Sequence, residues 1–368
     1  MADDKVKRVL LTGASGYVGQ HLIASLSTGA CVDLPEMELF CCYNALPTFE
    51  QDMRESFGAG EAMGEMRPSS DSKTTIRIKV VPGIDFADPG YISRIKGCCG
   101  AESFDCIIHL AALSSPTHCE KHPGDAWMIN CPLGLMSFRA PIIYLSTDQV
   151  YEGSKSFYTE RDDTRPVNVY GRTKLAFERA LLRDGGDSSP LLSDVEARED
   201  TERIPRAIEH TAAPNSVCLR SSLILGPPSP LKNGCRKGFD TFLQFIRSRL
   251  ESATPTVYYT DEFRSVVAIN DVVRALLHFT SIALQSKEKR GTQVYNLGGT
   301  TRASRYDIAL AVASQLKLDP ASANGAARSG TTGGVASPPD ISMDVQKLQA
   351  ELGSQKIDGL KEIIENTF

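Results

Sequence analysis

Several absences narrow the field before any motif is read. No apolar run approaches the roughly 20 residues that span a bilayer, so a membrane-spanning protein is not expected. No excess of basic charge is present: the formal net charge is -5, which gives no electrostatic reason to expect nucleic acid or an anionic membrane as partner. The N-terminus "MADDKVKRVLLTG" lacks both the apolar core of a signal peptide and the Arg/Ser-rich look of a transit peptide, and a cytoplasmic location is expected. Among the 10 cysteines there is no C-x-x-C. Cys106 and Cys218 fall inside apolar runs, which reads as buried thiols in a reducing compartment, and a disulfide framework is not expected. There is no internal repeat, and Ser146, Ser221 and Ser222 lack the partners of a nucleophilic triad. The single tryptophan, Trp127, reads as core on an amphipathic helix.

What is present is ordinary in amount and ordered in pattern. The 368 residues suffice for one large or two smaller domains. Short apolar runs alternate with amphipathic stretches. "KRVLLTG", "MELFCCYN", "TIRIKVVPGIDF", "DCIIHLAA" and "PIIYLSTD" read as five strands, and "SVCLRSSLIL" as a sixth. Non-alternating strands with helices between them imply a parallel sheet covered on both faces, an α/β doubly wound fold of Rossmann type. The crossover before the fifth strand reads as one helix, Asp125 to Arg139, about 22 Å long and kinked at Pro132. Residues 58–73 and 183–215 read as surface loops, and 321–340 as a low-complexity loop.

"TGASGYVG" sets Gly13, Gly16 and Gly19 three apart between a strand and a helix. Such a turn aims backbone N–H groups and a helix N-terminus at one point, where a pyrophosphate fits. Gly13 would permit the tight turn, Gly16 the approach of phosphate, and Gly19 close helix packing. The spacing differs from the usual G-x-G-x-x-G, and alone it also fits a turn that holds no ligand. "NVYGRTKLA" places Tyr170 and Lys174 four apart, on one face of a helix. A phenol is a poor acid near neutrality, and an ammonium beside it favours the phenolate. The strand before that helix ends in Ser146-Thr147-Asp148, and a hydroxyl at a strand's C-terminal end can hydrogen-bond a substrate carbonyl while Tyr170 delivers a proton.

With these pieces in place, the sequence resembles the extended short-chain dehydrogenases/reductases. Within them it is similar to the dTDP-4-dehydrorhamnose reductase (RmlD-like) group, which also contains the regulatory β subunit of methionine adenosyltransferase. "TGASGYVG", "HLAA", "STDQVYEG", "PVNVYGRTKLAFE", "LRSSLILGP", "FRSVVAINDVV" and "PPDISMDVQKL" carry the likeness. The resemblance implies Thr147, Tyr170 and Lys174 as catalytic residues, with Lys174 orienting the cofactor ribose and tuning Tyr170. It implies Gly13, Gly16, Tyr17, Val18 and Gly19 around the pyrophosphate, Asp85 and Phe86 at the adenine, and Ala111 and Ala112 along the cofactor's inner face. Ser114, Thr147, Asp148 and Arg264 would meet a nucleotide-sugar substrate, with Arg264 at its diphosphate. It also implies an NAD(P)-binding domain over 1–218 and 266–297, a substrate-binding domain over 219–265 and 298–368, and a homodimer.

Two functions follow: an NAD(P)H-dependent reductase of a keto group on a nucleotide-linked sugar, or an NADP-binding regulatory subunit whose partner is a methionine adenosyltransferase catalytic subunit. An epimerase or dehydratase ranks lower, because "STDQ" offers Asp148 without a second acid. Asn44, at the second strand's end, is neither the acid of NAD enzymes nor the base of NADP enzymes; the lack of an acid leans the reading to NADP(H) over NAD(H). "HCEKH", His118 to His122, has the spacing of a metal clip, but Pro123 reads as a loop end at the site's mouth, and no metal is expected.

Overall fold

The computed structural model describes residues 6–28, 34–44, 46–57, 64–66, 75–182, 213–231, 241–328 and 334–368. The chain opens with β1 (Lys7–Thr12), α1 (Tyr17–Thr28), β2 (Met37–Cys42), α2 (Phe49–Phe57), β3 (Gly64–Met66), β4 (Ile76–Val81) and α3 (Tyr91–Cys99). It continues through β5 (Cys106–His109), α4 (Pro116–Lys121), α5 (Pro123–Asn130), β6 (Ile142–Thr147), α6 (Val169–Leu182), β7 (Val217–Ser221) and β8 (Ile224–Leu225). Then come α7 (Phe242–Glu251), β9 (Thr256–Tyr259), β10 (Phe263–Ser265), β11 (Val267–Ala268), α8 (Ile269–Gln285) and β12 (Gln293–Leu297). The last elements are β13 (Arg302–Ser304), α9 (Arg305–Leu316), β14 (Ala323–Ala326), α10 (Gln346–Leu352) and α11 (Leu360–Glu365).

Among the described residues the central sheet has 8 strands in the order β12-β7-β6-β5-β1-β2-β4-β3. All its pairings are parallel except the edge pair β3 with β4. The strands read as continuous apolar runs because both faces are covered. Val9 and Leu11 of β1 point into one core with Leu22, Ile23 and Leu276, while Leu10 points into the other with Tyr91, Ile95 and Phe177. Chain order runs outward from β1 to β2 and β4, then returns to β5 on the other side of β1. That reversal opens a crevice beyond the C-terminal ends of β1 and β5, where doubly wound sheets bind ligands. A third apolar cluster gathers Leu243 and Ile246 of α7, Ile308 and Val312 of α9, and Ile363 and Ile364 of α11.

The structure corrects several expectations. The single helix from Asp125 to Arg139 does not form. Pro123 opens α5, and the helix stops at Asn130 because Pro132 disfavours helical backbone at Cys131. Leu133–Phe138 follows as a tight 3-10 turn, with Gly134 where a Cβ would lie 2.5 Å from the Tyr91 hydroxyl. Pro123 is therefore a helix start, and His118, Cys119 and Glu120 lie on the short helix α4 rather than at a loop end. The expected loop 58–73 contains β3, and the low-complexity stretch contains β14, paired with β9. Residues 183–212 of the other expected loop lie outside the described residues. The third run stops as a strand at Val81, ahead of Asp85, and the sixth divides into β7 and β8. Trp127 is half-buried at the margin of the second core. Of the described cysteines all but Cys98 are buried, and none is disulfide-bonded. No described helix is long and apolar enough to cross a membrane.

Phe177 is fully buried, with its ring centroid 4.8 Å from Tyr144 and 5.6 Å from His109. Phe177→Ala is expected to lower the unfolding free energy by about 3–5 kcal/mol. Val257→Ala, at a side chain 61% exposed, is expected to change it by less than about 0.5 kcal/mol. Urea denaturation of both variants checks the contrast.

Candidate active site

Strand β1 ends at Thr12 and the chain turns at Gly13 with φ +71°, a left-handed conformation that favours glycine. A Cβ on Gly13 would meet the Ala111 nitrogen at 2.6 Å, and one on Gly19 would meet the Gly13 and Ala14 carbonyl oxygens at 2.5 and 2.7 Å. Gly13 and Gly19 are thus demanded by turn and packing. Gly16, donating to the Gly13 carbonyl at 3.0 Å, is exposed at the crevice. Helix α1 starts at Tyr17, so its N-terminus faces the same opening.

A cleft of about 610 Å³ lies there. Gly13, Gly16, Tyr17, Val18, Gly19 and Ala112 line one part; Ser114, Thr147, Asp148, Tyr170, Lys174 and Arg264 line the rest. An adjoining pocket of about 400 Å³ shares Gly13, Gly16, Tyr17 and Ala112, and adds Asn44, Asp85, Phe86 and Ala111. Every candidate cofactor, catalytic and substrate residue named from the sequence therefore borders one of two adjoining spaces. In that second pocket, Asn44 is exposed, Asp85 accepts from the Ala87 N–H at 2.9 Å, and Phe86 is buried with its ring 4.9 Å from Tyr91.

Thr147 ends β6. Its hydroxyl donates to Asp148 Oδ1 at 3.2 Å and accepts from the Gln149 N–H at 3.2 Å. Tyr170 and Lys174 lie on α6, both buried. Burial pushes the Tyr170 phenol up from its ordinary value, with the Thr147 hydroxyl pulling the other way. Burial also brings the Lys174 ammonium down to about 7, opposed chiefly by Glu178. The resemblance makes Lys174 the tuner of Tyr170. Here its Nζ instead donates to the Leu145 carbonyl at 2.7 Å and sits 4.3 Å from the centre of the Tyr144 ring.

Contacts that the sequence reading missed seat this helix. The Gly171 N–H donates to Asn168 Oδ1 at 2.9 Å, and the Val169 N–H donates to Glu120 Oε1 at 2.7 Å, so two side chains satisfy the α6 N-terminus. Glu120, the centre of "HCEKH", is a cap for α6. Cys119 beside it donates to the Leu113 carbonyl at 3.1 Å, and the described residues contain no cluster fit for a metal. Buried Asn130 accepts from the Leu113 N–H at 2.8 Å and donates to Thr173 Oγ1 at 3.0 Å, tying the chain after β5 to α6. At Gly171 a Cβ would lie 2.2 Å from the Gln149 carbonyl oxygen. A glycine beside Tyr170 was a visible signal for close approach; nothing near Asn130 or Glu120 in the sequence pointed to α6.

At the other end, Asp148 is 4% exposed and its Oδ2 lies 3.9 Å from Arg264 Nε. Burial raises the Asp148 carboxyl, and Arg264 opposes that rise. Arg264 is not a surface ion-pair residue: it is largely buried, and donates to the Phe263 carbonyl at 2.7 Å and to Ser337 Oγ at 3.4 Å. Arg305 and Arg328, both missed in the sequence, line the same end and share the buried carboxylate of Glu262 at 3.7 and 2.7 Å. Arg328 comes from the stretch read as low-complexity loop, which carried no signal.

Fold and cleft together define a doubly wound α/β protein with a dinucleotide-type crevice. The family profile described as the RmlD substrate binding domain matches residues 58–189. Methionine adenosyltransferase 2 subunit beta of Danio rerio is 24% identical over 58% of this chain and 56% of its own length. The dTDP-4-dehydrorhamnose reductase of Sinorhizobium fredii is 37% identical over 21% of this chain and 28% of its own. The chain thus spans about half the length, or less, of these curated relatives. The crystal structure of dTDP-4-dehydrorhamnose reductase from Bacillus anthracis in complex with NADP superposes with TM-score 0.61, at 17% identity, over 98% of both chains. The profile match is confined to residues 58–189, and the structural likeness over the whole chain is one of fold.

Gly171→Ala is expected to force α6 away from Gln149, costing about 1–3 kcal/mol of stability. A lowered melting temperature together with weakened NADPH binding by calorimetry checks this; unchanged binding would show that the seat of α6 does not matter to the cleft.

Proposed function

We propose that this chain is an NAD(P)H-dependent reductase of a keto group on a nucleotide-linked sugar, with dTDP-4-dehydrorhamnose the specific substrate. The observation that carries the reading is that Thr147, Tyr170 and Lys174 line the same cleft as the glycine turn at one end and Arg264 at the other. The glycine turn would take a pyrophosphate at exposed Gly16, beside the N-terminus of α1. The bound nicotinamide would supply the hydride to the carbonyl carbon. Thr147 would hold the carbonyl oxygen by hydrogen bond, and Tyr170 would hand its phenolic proton to that oxygen. A phenol pushed up by burial stays protonated at neutral pH, which suits the reducing direction. Lys174 would hold the ribose and replenish charge near the phenol. Arg264, joined by Arg305 and Arg328, would bind the diphosphate, with residues 219–265 and 298–368 forming the substrate side.

NADP(H) is favoured over NAD(H), since the end of β2 offers Asn44 and no acid to repel a 2′-phosphate. A second reading rests on the likeness to the methionine adenosyltransferase subunit: a cofactor-loaded regulatory protein whose partner is the catalytic subunit. An epimerase or dehydratase is less well supported, because the residue after Asp148 is the amide Gln149.

Purified protein is expected to oxidise NADPH in the presence of dTDP-4-dehydro-L-rhamnose. Tyr170→Phe should lower kcat by about 10²- to 10⁴-fold. Tight NADPH binding without turnover, and capture of a methionine adenosyltransferase catalytic subunit only with cofactor present, would favour the second reading. The pH dependence has a definite sign. Lys174 loses its proton as pH rises through about 7, so cofactor binding that uses the ammonium should weaken above that pH. Calorimetric titrations with NADPH from about one unit below to about two units above that value check it.

A further inference from the structure

Beneath the cleft lies a charged pair with no part in the chemistry above. Glu178 is fully buried and Arg220 is 5% exposed. Arg220 donates to Glu178 Oε2 from Nε at 3.1 Å and from Nη2 at 2.8 Å, and to the Tyr151 hydroxyl from Nη1 at 2.9 Å. Ser146, the residue before Thr147, donates its hydroxyl to Glu178 Oε1. Glu178 follows Lys174 by four residues, one turn further along the same face of α6.

The Lys174 ammonium rests on an aromatic face and a carbonyl oxygen, and neither carries a full charge. Other titratable groups face it from the elements packed around it. Cys119 comes from α4, Cys131 follows α5, Cys218 is on β7 and His109 on β5. Burial raises the three thiols and lowers the imidazole, so all four are neutral near pH 7. Among these groups Glu178 alone presents a full opposite charge to Lys174. Arg220 holds the Glu178 carboxylate in place by a two-point hydrogen bond. The Ser146 hydroxyl joins that carboxylate to the strand that ends at Thr147.

We propose that Glu178, held by Arg220 and Ser146, is the fixed counter-charge of Lys174 and the brace that sets Lys174 and Thr147 relative to each other. Glu178 and Arg220 are positioning residues, and their importance rests on the reading of Lys174 as the cofactor-side cation. A buried ion pair is weak evidence for stability, since hydrophobic replacements often serve as well. Its cost is explained if the carboxylate serves Lys174.

The test follows the titration of Lys174 itself by NMR of the full chain carrying lysine labelled with ¹³C at Cε, the signal assigned with Lys174→Arg. Glu178→Gln keeps the shape and removes the charge, and is expected to move the Lys174 midpoint down by about one unit. Arg220→Lys leaves a cation on Glu178 and should leave the midpoint near the wild-type value. If Glu178→Gln does not fold, Glu178→Gln/Arg220→Met removes both charges together and is expected to move the midpoint down by a smaller step, since the Arg220 charge goes too. A folded uncharged variant whose Lys174 titrates with the wild type overturns the proposal. Failure of both uncharged variants to fold overturns it too, since a structural role would then suffice. NADPH binding to the wild type, measured alongside, reports on the reductase reading separately: its absence would sink that reading and leave the Lys174 titration to be judged by itself.

Discussion

Helix α6 carries a phenol, an ammonium and a carboxylate at four-residue intervals, and the site depends on where that helix is held. Its first turn is satisfied from two directions, by Asn168 in its own approach and by Glu120 from α4. Its second turn is tied through Thr173 to Asn130, which also grips the chain leaving β5. Gly171 allows the helix to approach the Gln149 carbonyl closely, just beyond the β6 end that bears Thr147. Each of these contacts joins α6 to a chain segment at the C-terminal edge of the sheet. The phenol and the threonine are therefore positioned by the same set of polar contacts, and movement of one without the other would leave buried donors or acceptors unpaired.

The sheet provides the opposite wall. Reversal of strand order between β1 and β5 leaves a crevice that no crossover can cover, and the glycine turn and the N-terminus of α1 open into it. The cleft is electrostatically graded. Its glycine end presents backbone N–H groups and a helix terminus. Its middle presents an ammonium brought near neutrality by burial. Its far end presents Arg264, Arg305 and Arg328 around Glu262 and Asp148. In the proposed reading, a dinucleotide beside a nucleotide-linked sugar would lie along that order.

Much of this was legible in the sequence, for reasons tied to particular residues. The strands β1, β5 and β6 are apolar on both faces, so their type could be read without knowing their neighbours. Gly13, Gly16, Gly19, Thr147, Tyr170 and Lys174 belong to local motifs whose spacing follows from one turn or one helix. The single-helix reading of the crossover between β5 and β6 fails at Pro132, which ends α5 instead of kinking it, and the loop-end reading of Pro123 fails because proline also suits the first turn of a helix. Arg328 was hidden because its stretch is low in complexity, and β14 forms there only by pairing with β9, far away in the chain.

By itself the sequence determined the alternation of strand and helix, the turn that requires glycine at Gly13, and the shared face of Tyr170 and Lys174, since each depends on backbone geometry over a few residues. The tertiary structure alone decided that Glu120 caps α6, that Asn130 reaches Thr173, that Arg220 pairs with Glu178, and that Lys174 lies in surroundings dry enough to bring its ammonium to about 7. Those outcomes come from hydrogen bonds between distant segments and from exclusion of water, and both arise only when the layers close over one another.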